Sequence, residues 1–115
     1  MLNNEKPIFE FVLQMIEEAE KVIQRHGSAY LALNDFEGKN AILFNLLQIG
    51  EKLNKIESEE YKCLLPIKEA YSIRNRITHD YDGIDLIIIE EILTLEFPIL
   101  KKTINDLLFH TKLPS

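Results

Sequence analysis

The chain has 115 residues, 46% of them apolar and 28% charged, enough for one domain with a core that needs no covalent staple. Its net charge of -6 has the wrong sign for a protein that grips nucleic acid with a broad basic face, and no apolar run approaches the ~20 residues that cross a bilayer. Cys63, the only cysteine, excludes an intrachain disulfide; Met1 to Lys6 lacks a basic stretch leading into an apolar one, so no secretory signal is expected and a reducing cytoplasm is the expected setting.

Pro7 suits the opening turn of a first helix whose apolar positions Ile8, Phe11, Val12, Met15, Ile16, Ala19, Val22 and Ile23 keep helical spacing. Gly27 is the expected left-handed stop, with Arg25 and His26 placed to complement the helix dipole. Ser28 to Lys39, with Asn34, Asp35 and Gly38, reads as a loop holding at most a short helical turn. A second helix is expected from Asn40 to about Ile56. Its first half, Ala41, Ile42, Leu43, Phe44, Leu46, Leu47 and Ile49, is apolar nearly all round, the mark of a central helix. Asn45, Gln48 and Glu51 or Lys52 draw a polar line through it, either a buried polar network or a line in which Glu51 faces and orients Arg74.

Glu57 to Lys62 reads as a charged, solvated connector. Pro66 introduces a third helix with Ile67, Ala70, Tyr71, Ile73 or Arg74, and Ile77 at helical spacing, expected to fray near His79 ahead of the Asp82-Gly83 turn. Asp85 is a good N-cap for a fourth helix through Ile88, Ile89, Ile92, Leu93 and Phe97, which Pro98 kinks or ends before Ile99, Leu100, Ile104 and Leu108. Ile87-Ile88-Ile89 has strand propensity but stands in a helical context. The expected architecture is all-α, an antiparallel four- to five-helix bundle over residues 1–115 without an internal boundary.

Chemistry concentrates in Ser72-Ile73-Arg74-Asn75-Arg76-Ile77-Thr78-His79-Asp80-Tyr81. Arg74 offers a fixed cationic fork for phosphate, His79 a side chain that titrates near neutrality, Tyr81 a hydroxyl able to receive a group. At about 100° per residue Asn75 and His79 share one face, whereas Arg74 and His79 diverge by about 140°, so a single helix assembles the set imperfectly and a second copy about a two-fold axis would complete it. An RNA-binding role further requires that Arg74, Arg76, Lys52 and Lys55 cluster locally, unless the partner is a protein. No Gly-rich phosphate loop and no Cys or His pair at metal spacing is present, so neither a metal nor another cofactor is expected.

These residues resemble the HEPN superfamily, in particular HepT-like toxin subunits. The Arg-polar-x4-His signature is matched by Arg74, Asn75 and His79, the His-x-Tyr ending by His79-Asp80-Tyr81, the Ile-Gly-Glu turn by Ile49-Gly50-Glu51, and the Gly-(Val/Ile)-Asp segment by Gly83-Ile84-Asp85. The likeness runs from about Ile8 to Ile104; where many members carry Trp seven residues before the Arg, this chain has Ile67. The resemblance implies a metal-independent endoribonuclease toxin with Arg74, His79 and Asn75 in its site and Glu51 in support. It also implies a homodimer acting on RNA and silenced when a cognate minimal nucleotidyltransferase antitoxin transfers AMP to Tyr81. The alternative is a non-catalytic helical subunit that binds substrate or nucleotide for such a transferase. His26 reads as a helix cap, and His110, like His26, as a surface residue.

Overall fold

The computed structural model describes residues 5–109. Helix α1 (Lys6–His26) carries Pro7 in its first turn, where the missing N–H costs no hydrogen bond, and stops at Gly27, whose φ of 103° is left-handed and whose N–H donates to Ile23 O at 2.9 Å. The inward face of α1 is Phe9, Val12, Met15, Ile16 and Ala19. Phe9, outside the expected stripe, is fully buried and meets the Tyr61 ring edge-on at 5.2 Å.

A short helix α2 (Ala29–Leu33) follows, capped by the Ser28 hydroxyl, and α3 (Phe36–Leu53) starts four residues ahead of the expected Asn40. Two features shift that boundary. The Asp35 carboxylate accepts from Gly38 N–H at 2.9 Å as an N-cap, and Gly38 is helical because α2 packs on it so closely that a Cβ there would lie 2.3 Å from Ala32 O. The glycine marks a close approach of two backbones, not a loop. Central α3 buries Ile42, Leu43, Leu46, Ile49 and Leu53, and its buried Asn45 reaches back to Met15 Sδ and Glu18 Oε1 on α1, each at 3.4 Å.

The connector after α3 is not the bare solvated surface expected. Glu5, itself buried, accepts from the Glu57 and Ser58 N–H groups at 2.8 and 3.3 Å, and the short α4 (Glu59–Lys62) buries Tyr61. Helix α5 (Ile67–His79) then lies almost wholly against α3 and has a single buried residue, Ile77, whose burial contributes about 1.5–3 kcal/mol. Ile67, Ala70 and Ile73 are only half-buried. Asp85 caps α6 (Leu86–Glu91) through the Ile87 N–H at 2.9 Å, so the isoleucine run is helical. Ile92–Glu96 forms a π-helical turn closed by Phe97 N–H on Ile92 O before α7 (Phe97–Phe109). Pro98 cannot donate to the carbonyl four residues back, and the ladder absorbs this by widening a turn earlier instead of breaking.

The result is an all-α bundle, with no strand among the described residues. Contacts between Phe11 and Lys52 and between Met15 and Asn45 run α1 and α3 antiparallel, as those between Gly50 and Ala70 and between Asn40 and Tyr81 do for α3 and α5. Among the described residues no helix is long and apolar enough to cross a membrane.

Asp35 links three elements, because its carboxylate also meets His26 Nε2 at 3.2 Å while His26 Nδ1 lies 2.9 Å from Val22 O. Its carboxyl titrates below the ordinary aspartate value of 3.8, chiefly through the Gly38 N–H and further through His26. A depressed carboxylate stabilises above the unfolded value and loses that contribution as pH falls through the folded one. Urea unfolding should therefore show the parent more stable than Asp35→Ala at pH 6, with the gap closing below 3.8; a gap independent of pH would contradict the cap.

Candidate functional site

At Gly50 α3 and α5 approach closely: a Cβ there would lie 2.6 Å from both Ala70 O and Arg74 Cβ. That contact brings the next residue, Glu51, against α5, where its carboxylate pairs with Arg74 Nε. The pair is ionic without being an aligned hydrogen bond, since Nε finds no acceptor at hydrogen-bonding geometry despite its burial. Arg74 is further held by Asn75, whose Oδ1 accepts from Nη1 at 2.9 Å, and by the Tyr71 ring, 5.4 Å below Cζ. The guanidinium is thus held at Nε, at Nη1 and on one face, and Nη2 has no hydrogen-bond partner among the described residues. Such a fork presents donors to a phosphate without first losing rotamer freedom.

Arg74, Asn75 and Glu51 come together in one chain; His79 does not join them. It is the last residue of α5, exposed and without a hydrogen bond among the described residues. Tyr81 follows in the turn that Gly83 closes, its hydroxyl donating to Asn40 Oδ1 and its ring 5.7 Å from Lys39 Nζ. Burial, then the neighbouring Asp82 charge, push the phenol above its ordinary value of 10.0. The hydroxyl is therefore engaged and protonated at neutral pH.

Two of the basic residues that an RNA-binding face would draw on, Lys52 and Arg76, are directed away from Arg74. Lys52, rotated by about 100° from Glu51, turns to the Phe11 ring of α1 at 5.0 Å. Arg76 lies on the other flank of α5, lining an open cleft of ≈ 930 Å³ with Leu46, Ile49, Ile73 and Leu100. This cleft contains none of Arg74, Asn75, His79 or Tyr81. Among the described residues no three His, Cys, Asp or Glu side chains converge as metal ligands would. Tyr71 and Asn40 were not legible as site residues. Tyr71 fits the helical stripe as a packing position, and Asn40 meets Tyr81 only through folding, 41 residues away. His110 lies outside the described residues.

Comparison with protein families matches residues 12–107 to the family described as "Ribonuclease HepT-like". The chain belongs to this HepT-like ribonuclease family. No curated protein and no solved structure matches it.

Because the pinch at Gly50 sets where Arg74 stands, Gly50→Ala should lower stability by about 1–3 kcal/mol, the usual cost of forcing a methyl group into closed packing. Urea denaturation checks it, and an unchanged midpoint would contradict the close approach.

Proposed function

We propose that the chain is the endoribonuclease toxin of a toxin–antitoxin pair, a cytoplasmic homodimer that cuts RNA without a metal and is silenced by AMP transfer to Tyr81. The observation that carries this reading is the guanidinium of Arg74, held by Glu51, Asn75 and Tyr71 with Nη2 left over for a phosphate. Membership of a ribonuclease family supports it.

The chemistry needs a base, an acid and a cation. One His79 takes the proton of a ribose 2′-hydroxyl, and the 2′-oxygen attacks the adjoining phosphorus. The bond from phosphorus to the 5′-oxygen breaks as His79 of the second copy protonates that leaving oxygen, giving a 2′,3′-cyclic phosphate and a 5′-hydroxyl. Arg74 steadies the charge that gathers on the non-bridging oxygens. Two copies are required because Arg74 and His79 diverge by about 140° on one helix, and a two-fold axis sets the second His79 across the cleft.

The acidic balance of -6, together with an Arg74 already paired to Glu51, favours a second reading, a non-catalytic binding subunit of a nucleotidyltransferase. Cleavage by the purified chain separates the two. Arg74→Ala and His79→Ala should each slow RNA cleavage by ~10² or more with helicity unchanged, light scattering should report a dimer, and EDTA should leave the parent's rate intact. Normal cleavage by either variant, a strict monomer or loss of activity in EDTA would overturn the ribonuclease mechanism.

Regulation at Tyr81 follows from charge and bulk. The phenolic oxygen attacks the α-phosphorus of ATP, pyrophosphate leaves, and the phenolic proton passes to a base of the transferase, since the phenol is protonated at neutral pH. The attached phosphodiester brings negative charge and an adenosine beside the site. With partner, ATP and magnesium, intact mass should rise in steps of ~329 Da in the parent and stay constant in Tyr81→Phe; a parent of unchanged mass would remove this regulation.

A further inference from the structure

Asn40, Phe44, Gln48 and Glu51 follow one another along α3 at spacings of four, four and three residues, which places them on one line down the helix. Both ends of the line are anchored across to the α5 side: Asn40 accepts the hydrogen bond from the Tyr81 hydroxyl, and Glu51 holds Arg74. Phe44 and Gln48 therefore lie between the Tyr81 contact and the Arg74 contact. Phe44 is 56% exposed, although its neighbours Leu43 and Asn45 are 0% and 3% exposed. It faces solvent from the central helix of the bundle, between the Asn40 and Gln48 amides on that line and with half-buried Ala41 and Leu47 to either side.

We propose that Phe44 is the platform on which an unpaired base of the RNA stacks, so that the substrate of this site is single-stranded RNA. The inference rests on the ribonuclease reading for bringing RNA to Arg74, and it adds the determinant that selects an unstacked base. Three considerations favour a nucleobase over a protein partner. The amides of Asn40 and Gln48 on either side of an exposed ring, with Arg74 at the end of the same line, suit base edges and phosphates. Every base has a π-face, so stacking binds without sequence preference. Affinity from stacking also does not depend on net basic charge, which this chain of net charge -6 lacks. A base seated on Phe44 sets its own phosphates along the line that ends at Arg74.

The test uses the full chain and a short 2′-O-methyl oligonucleotide carrying 2-aminopurine, which has no 2′-hydroxyl to attack and whose fluorescence is quenched by stacking. Binding to the parent and to Phe44→Tyr should quench it. Phe44→Ala should bind about 5- to 150-fold more weakly, the usual consequence of losing one base–aromatic stack, without quenching and with the same helicity and assembly size as the parent. The proposal falls if the parent does not bind the oligonucleotide, or if Phe44→Ala binds and quenches like the parent. It falls equally if that variant changes the assembly size, which would make Phe44 an interface residue. Cleavage of unmodified RNA keeps the two readings apart. A parent that cuts RNA while quenching ignores Phe44 sinks only the stacking platform; quenching that depends on Phe44 in a protein that cuts no RNA sinks only the nuclease.

Discussion

The approach of α3 to α5 at Gly50 is the constraint on which the rest of the site depends. With only a hydrogen where any other residue carries Cβ, the two backbones come near enough for Glu51 to reach Arg74 beside its own helix axis. Helix α5 rests on α3 through Ile77, its one buried residue, and through half-buried Ile67, Ala70 and Ile73, while the cleft toward α7 leaves its other flank open. The close approach at Gly50 and the Glu51 pair together set the direction of its arginine. The outer end of α5, with Thr78 and His79, is exposed.

The same arrangement explains how an acidic chain can serve a polyanionic substrate. The cations do not pool into a basic face: Lys52 packs on Phe11, Arg76 borders the apolar cleft, and Arg74 is partly neutralised by Glu51. Affinity from counterion release is correspondingly small. On the proposed reading, recognition rests on geometry, with the held guanidinium for one phosphate and an exposed ring for one base, which would give selectivity for the reacting nucleotide instead of general adhesion to RNA.

Much of this was legible in the sequence because helical periodicity and capping are local. The stop at Gly27, the cap at Asp85, the centrality of α3 and the end of α5 at His79 all follow from residues within a turn or two of the feature. The start of α3 was not, since a glycine that breaks a loop and one that admits a neighbouring backbone look alike until Ala32 is placed over Gly38. The π-helical turn ahead of Pro98 was hidden for a related reason: the apolar stripe survives a one-residue widening of the ladder. The Arg74 to Tyr81 segment stood out by its concentration of polar chemistry and Ile49-Gly50-Glu51 by its resemblance to the family, and family membership over residues 12–107 agrees with that resemblance. Asn40, Tyr71 and the exposure of Phe44 did not stand out, because each is defined by a neighbour or a gap that only the packed bundle supplies.

The chemistry assigned to Arg74 and His79 requires that the ribose hydroxyl next to the broken bond be the nucleophile, with no water activated by a metal. The end groups of the fragments report this directly. RNA incubated with the purified chain and resolved by mass spectrometry should yield 2′,3′-cyclic phosphate and 5′-hydroxyl termini; 3′-hydroxyl and 5′-phosphate termini, the signature of attack by water with the opposite leaving group, would contradict the account.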